Sequence, residues 1–367
     1  MRSLPRIAHR LVVAVASAAV SLALLPATSP AVTLDWASVG DAGNAGQTLT
    51  YGGTAMTFGA VAESYRIMKH EVTIGQYAEF LNAAAKSDPY GLWTSEMETN
   101  QNIAGIARTG ISGAYTYTVS GPAGVTPTGA SSPANRPITY VSWFDAARFA
   151  NWMQNGQGTG STETGAYTLA GAPVGVAPAR NPGAQYYLPT EDQWYKAAYY
   201  KGGSTNAGYW TYGTQSDSAP GNTLGSQANQ ANYLLNNKYS VTQSGIQSPT
   251  QNYLSDVGAY SSSASAYGTF DMSGNVFELN DLTGAASVSK GQRGGGIGSS
   301  AFTISSGARG QPFPDVQNGI TGFRLAGPAG GTIVPEIDPQ GFIPVATLVG
   351  GALAFLERRR SRGPRRV

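Results

Sequence analysis

The side chains that carry most enzymatic chemistry are scarce in this chain. Its 367 residues contain no cysteine. A thiol nucleophile, a disulfide, a cysteine-ligated zinc and an iron–sulfur cluster are therefore excluded. There are two histidines, His9 and His70, and His9 falls in what reads as a removable leader. One remaining histidine cannot build a three-histidine metal centre or a two-histidine-one-carboxylate iron site. A Ser–His–Asp triad would have to use His70, which directly precedes Glu71 and reads as structural. Oxygen chemistry remains. Asp271 and Glu278 flank a Gly274-Asn275 turn, and two carboxylates so placed can converge on one cation. A second feature is the aromatic run Tyr209-Trp210-Thr211-Tyr212, which reads either as a stacking surface for sugars or peptides or as buried packing.

Three helices with self-contained start signals would position these groups. Thr73 precedes the stripe Ile74, Tyr77, Phe80, Leu81 and Ala84, with Gln76 in the capping-box position. Ser142 precedes Trp143, Ala146, Ala147, Ala150 and Met153, with Asp145 three residues on. Thr190 precedes Trp194, Ala197 and Ala198, with Gln193 three residues on. Their aromatic residues read as core anchors. Tyr115–Val119 and Gln185–Leu188 read as short strands, and residues 155–184 and 202–230 as long surface loops rich in small and polar residues.

Composition agrees with a loop-rich globular domain. Charged residues make up 12%, about half the usual share, and there are 48 glycines, 20 tyrosines and 6 tryptophans. Low charge with many aromatics argues against wholesale disorder. The formal charge of +2 conceals a gradient: residues 1–31 and 335–367 each carry +3, which leaves −4 between them. A mildly acidic domain is a poor partner for nucleic acid, which needs a basic patch.

The two ends read as addresses. Residues 1–31 have the layout of a secretory signal peptide: Arg2, Arg6 and Arg10, then an apolar stretch from Leu11 to Leu25, then Ser29-Pro30-Ala31 at a cleavage site. Near the other end, Val334-Pro335-Glu336-Ile337-Asp338 is followed by the apolar segment 342–356, Glu357 and then Arg358-Arg359-Arg360. Arginines beside an apolar segment hold that end on the cytoplasmic side. This order resembles the PEP-CTERM sorting signal, with Pro335 and Glu336 in its motif and Ile337 where a second proline usually stands. The resemblance implies an exosortase-like processing enzyme as a partner, membrane association through a short transmembrane helix at 342–356 before processing, and an exported protein at the cell envelope or surface or released to the matrix.

Between the ends, several segments follow one another in a telling order. They are Glu71-Val72-Thr73 with Tyr77, then Pro137-Ile138 with Val141-Ser142-Trp143 and Asp145-Ala146, and then Leu188-Pro189-Thr190-Glu191 with Trp194. Tyr267-Gly268, Asp271-Met272 and Gly274-Asn275-Val276-Phe277-Glu278 come next, and Arg293-Gly294-Gly295 and Gly322-Phe323-Arg324 close the series. In that order, from about residue 61 to 327, they resemble the formylglycine-generating enzyme, or sulfatase-modifying factor, domain. The resemblance implies an α+β, C-type-lectin-like fold with little regular secondary structure and long loops. It spans a domain at 32–330, with residues 32–60 adding an edge strand and 331–367 forming the sorting segment.

The same resemblance implies what should sit where. The family's founding activity oxidises a client cysteine with oxygen and a copper held by two cysteines shortly after the Arg-Gly-Gly motif. Here that stretch, Gly296 to Ser306, holds serines and no thiol, and a neutral hydroxyl does not replace a soft thiolate on copper(I). No catalytic residue is assigned. A structural calcium is implied at Asp271 and Glu278 with backbone oxygens of Gly274 and Val276. A second calcium is implied at Asn232 and Tyr233, where the acidic partner is not clearly placed and Asp256 is a candidate. Tyr209, Trp210 and Arg309 are candidate binding residues on a groove wall, and Arg324 reads as scaffold. The leading expectation is an exported, calcium-stabilised, non-catalytic module that binds an extracellular peptide or polysaccharide. Two alternatives stay open: an enzyme of the same family with a different metal or cofactor, and a structural surface or matrix component.

Overall fold

The computed structural model describes residues 31–121, 124–126 and 129–330. The signal-peptide stretch 1–30 and the sorting segment, with Pro335, Glu336 and the apolar run 342–356, lie outside the described residues. Among the described residues no helix is long and apolar enough to cross a membrane.

Chain order begins with β1 (Trp36–Val39), β2 (Gln47–Tyr51), β3 (Thr54–Phe58) and β4 (Tyr65–Met68), followed by α1 (Ile74–Ala84) and the single turn α2 (Glu96–Thr99). Two antiparallel pairs follow: β5 (Ile106–Thr109) with β6 (Thr116–Val119), and β7 (Gly124–Thr126) with β8 (Gly129–Ser131). Then come α3 (Trp143–Gln154), α4 (Glu191–Tyr199), β9 (Phe277–Asn280), β10 (Gly291–Arg293), β11 (Thr321–Phe323) and β12 (Ala326–Pro328). Two three-stranded sheets organise the domain, one ordered β1-β4-β12 and the other β10-β9-β11. In the second, β9 pairs antiparallel with β10 and parallel with β11. The fold is α+β with short elements and long loops, as expected. Residues 32–60 supply the edge strand β1 and, beyond the expectation, the β2–β3 hairpin.

Each predicted helix starts where its cap stands. Thr73, Ser142 and Thr190 all form complete capping boxes, so two otherwise orphaned backbone donors are satisfied at each start. At α4, the Gln193 N–H donates to Thr190 Oγ1 at 3.2 Å and the Thr190 N–H to Gln193 Oε1 at 3.0 Å. Tyr115–Val119 holds the observed β6, whereas Gln185–Leu188 forms only an isolated bridge, Tyr187 to Ala326. A stretch with a single ladder partner does not become a strand.

The core lies between α1, α3 and the two sheets. Phe80 of α1 meets Phe149 of α3 at 5.4 Å between ring centroids, and Phe149 meets Phe323 of β11 at 5.5 Å. Helix α3 is buried from Trp143 to Met153, polar residues included. Those polar residues organise the loop that follows. Arg148 clamps Glu163 with Nε at 2.8 Å and reaches the Ala172 carbonyl, while the Asn151 amide donates to the Thr162 and Tyr167 carbonyls. Much of the 155–184 loop is thus held by side chains rather than by a backbone ladder.

Candidate functional site

Strand β9 carries Glu278 into the interior, and the link between β11 and β12 carries Arg324 towards it from a distant part of the chain. Both are fully buried. Arg324 Nε donates to Glu278 Oε2 at 2.5 Å and Nη2 to Oε1 at 2.7 Å, a bidentate pair. The remaining guanidinium hydrogens go to the carbonyls of Met68, Lys69 and Phe270 at 2.8–3.0 Å. All five donors of the guanidinium are thereby used. The indole N–H of Trp194, one turn into α4, adds a third bond to Glu278 at 2.9 Å. Trp194 is therefore a hydrogen-bonding wall of this centre as well as a core anchor; the sequence marks its burial but not its partner.

Two more carboxyls border the pair. Glu71 is buried; the Asn275 amide donates to its Oε1 at 3.3 Å, and its Oε2 lies 3.8 Å from Arg324 Nη2. Burial, and then the neighbouring Asp271, push the Glu71 carboxyl well above the usual carboxylate range, while Arg324 pulls it back. Asp271 has a left-handed backbone (φ 59°) and accepts the Gly258 N–H at 2.6 Å. Burial pushes its carboxyl up to about 6, opposed by that hydrogen bond and by Arg324. His70 stacks on Phe270 at 5.2 Å and is pushed down to about 4 by burial and by Arg324. It holds a packing position, in keeping with the structural reading.

The calcium expectation can be tested on this geometry. Asp271 and Glu278 are brought to the same centre, but both Glu278 oxygens are taken by a guanidinium and an indole. A cation there would have to displace Arg324, so the first donor set does not fit calcium as it stands. Gly274 serves the backbone instead. Its φ is 101°, and a Cβ there would come within 2.4 Å of the Asn232 carbonyl oxygen. Val276 packs its side chain with Ile103, Tyr253, Leu254 and Ile297.

The second set meets the first across that turn. The Asn275 N–H donates to the Asn232 carbonyl at 2.8 Å, and the Asn232 amide donates to the Tyr253 carbonyl, Ser255 Oγ and Asn275 Oδ1. Tyr233 donates its hydroxyl to the Pro220 carbonyl. Asp256 lies 3.8 Å from Arg136. No carboxylate joins Asn232 and Tyr233, and among the described residues no three His, Asp or Glu side chains converge on a common metal position. This set does not fit calcium either.

The candidate binding residues occupy a different region. Tyr209 packs between Tyr195 and Tyr200, at 5.5 and 4.9 Å, and its hydroxyl bonds with Asn44 and the Ala45 carbonyl. Trp210 lies under the Lys201 ammonium at 4.2 Å. Tyr209 is half-buried in this aromatic cluster. Arg309 chelates Glu191 through Nε at 3.0 Å and Nη2 at 2.6 Å, and Arg293 bonds the same carboxylate at 2.8 Å. Arg309 is tied into the scaffold.

The stretch after Arg293-Gly294-Gly295 folds back on itself. Gly295 is left-handed (φ 72°), and a Cβ there would lie 2.7 Å from Ile304 Cγ2 and 3.2 Å from Ser299 Oγ. Ser299 and Ile304 therefore flank Gly295 at close range, with the Gly296 N–H donating to Ser299 Oγ at 2.9 Å. The outer side of the same loop is open: Phe302 is 70% exposed, and Ser300 and Thr303 share an exposed hydroxyl bond at 3.1 Å. Ile320, 43% exposed, has its Cβ 3.7 Å from the position a Gly296 Cβ would take.

The profile of the sulfatase-modifying factor enzyme 1-like domain matches residues 38–329. The chain belongs to that family. Solved structures similar to this sulfatase-modifying-factor domain include CarF, at 22% identity over 81% of this chain and 98% of that one, with a TM-score of 0.44. A variable protein 1 of Treponema denticola is 19% identical over 80% of this chain and 94% of its own, with a TM-score of 0.43. PvdO from Pseudomonas aeruginosa is 18% identical over 82% and 100%, also at 0.43. Comparison with curated proteins finds no match. Copper held by two thiols does not fit this member, because its sequence has no cysteine anywhere.

Proposed function

We propose that this sulfatase-modifying-factor domain is a non-catalytic binding module, exported and sorted to the cell surface, whose ligand is an extracellular peptide or polysaccharide. One observation carries the reading. The segment after the Arg-Gly-Gly motif turns a hydroxyl and an aliphatic side chain, Ser299 and Ile304, towards Gly295, and presents Phe302, Ser300 and Thr303 outward. An exposed aromatic ring beside hydroxyls suits stacking and hydrogen bonding to a sugar ring or an extended peptide. The basic leader and the Pro335-Glu336 segment with its arginine tail support export and surface sorting. Calcium is left out of the proposal because the donor sets do not fit it.

Binding of the purified protein to arrays of extracellular polysaccharides and of peptides tests the reading. Saturable binding that Phe302→Ala weakens about tenfold, about 1.4 kcal/mol, supports it. Absence of binding to either class, or stoichiometric copper or iron with oxygen consumption, overturns it in favour of an enzyme. Concentration-dependent self-assembly without ligand binding points to the structural-component alternative.

A further inference from the structure

The antiparallel pairing of β9 and β10 ends at Gly291 opposite Asn280, and Lys290 and Asp281 are the residues next to that last pair. Both side chains are fully buried, with Lys290 Nζ 2.5 Å from Asp281 Oδ1. The walls are aromatic. Nζ sits 4.4 Å from the Trp143 ring centroid, and the Tyr167 hydroxyl donates to Asp281 Oδ2 at 3.1 Å. Tyr167 is anchored in turn by the Leu188 N–H at 3.1 Å and by the edge of Trp143 at 5.0 Å. The other ion pairs of the domain either use arginine or reach solvent; among the described residues this is the pair of a primary amine and a carboxyl with no exposed surface.

We propose that Lys290 and Asp281 are a site of intramolecular isopeptide bond formation, linking the ends of β9 and β10 covalently. Held in contact, the two groups have an effective concentration of about 10⁵ M or more. Burial raises the Asp281 carboxyl above its ordinary range, although Lys290 opposes the shift, and so favours the carboxylic acid, its reactive form. The balance is closed. A proton passes from the ammonium to the carboxylate, and the neutral Nζ attacks Cγ. The Nζ–Cγ bond forms, the Cγ–Oδ2 bond breaks, and Oδ2 leaves as water with two protons that came from Nζ. No oxidant or co-reactant is needed. Tyr167 is the catalytic residue, since its hydroxyl holds the oxygen that departs. Burial keeps that hydroxyl protonated across the neutral range. The product exchanges a buried ion pair for a neutral amide, and the Ala285 carbonyl, 3.3 Å from Nζ, stands ready to accept its N–H. For a chain without cysteine, such a bond is an available covalent staple beside the strand that carries Glu278.

The test is a complete tryptic digest of the denatured, full-length protein followed by mass spectrometry. Trypsin cuts after Lys238, Lys290 and Arg293 in this region, and an acylated lysine resists it. The expected product is one peptide, 239–293, lighter than its sequence mass by one water, with fragment ions placing the amide between Asp281 and Lys290. Lys290→Arg keeps the ion pair, so it should fold and give an unmodified mass. Tyr167→Phe should lower the cross-linked fraction while leaving the melting profile cooperative. Release of peptide 239–290 at full mass overturns the proposal. So does a loss of water with normal cleavage after Lys290, which would mark a succinimide at Asp281.

Discussion

Glu278 and Arg324 are 46 residues apart in sequence, yet they form a bidentate, fully buried pair that joins β9 to the turn between β11 and β12. Arg324 also binds three backbone carbonyls from the β4 end and the 270 loop. One guanidinium therefore ties both sheets together. Removing one partner from such a pair leaves an uncompensated buried charge. Glu278→Gln is expected to destabilise the domain by about 3–5 kcal/mol in denaturant titration. Arg324→Lys should cost a similar amount, because one ammonium cannot reproduce a planar fork of five donors.

The same pair bears on calcium. With Arg324 on both Glu278 oxygens, melting of the wild-type protein should be the same in calcium and in chelator. A melting temperature that falls in chelator and recovers with calcium would mean that a cation displaces the guanidinium.

Acid–base behaviour should be set by the raised carboxyls of Glu71 and Asp271 and opposed by His70. Asp271 is pushed up to about 6 in the folded protein, against about 3.9 when unfolded. Its contribution is fully present below about pH 4 and is lost as pH rises through about 6, because the unfolded chain sheds the proton more readily. His70, pushed down to about 4, works the other way: its contribution is present above its unfolded value of about 6.5 and is lost as pH falls through about 4. Asp271→Asn should therefore make the slope of stability against pH more positive between about pH 4 and 6 than in wild type. An unchanged slope in equilibrium unfolding would show that Asp271 is not the titrating group.

The caps offer a more local check. Thr190→Ala removes the acceptor for the Gln193 N–H at the start of α4, and about 1 kcal/mol should be lost. Helix α4 supplies both Trp194 to Glu278 and Glu191 to Arg293 and Arg309. Loss of this cap should thus appear as increased amide exchange in α4 as well as a lower unfolding midpoint.

What the sequence determined by itself was local or ordered along the chain. The three capping boxes are interactions between residues three apart, so Thr73, Ser142 and Thr190 announce their helices without help from the rest of the fold. The order of motifs carries the family, and the absence of cysteine removes thiol chemistry whatever the fold. Tertiary structure decided the rest. Asp271 and Glu278 look like two halves of a cation site when read along the chain, but Arg324 reaches Glu278 from another segment and supplies the positive charge. The aromatic run at 209–212 reads as stacking surface or as packing, and only the tertiary structure shows that Tyr209 lies against Tyr195, Tyr200 and Asn44. Lys290 and Asp281 acquire meaning only when the end of the β9–β10 pairing and the surrounding packing bring them together out of solvent. Caps depend on neighbours fixed by the covalent chain, whereas the partner of a buried charge depends on which distant backbone the topology brings within a few ångströms.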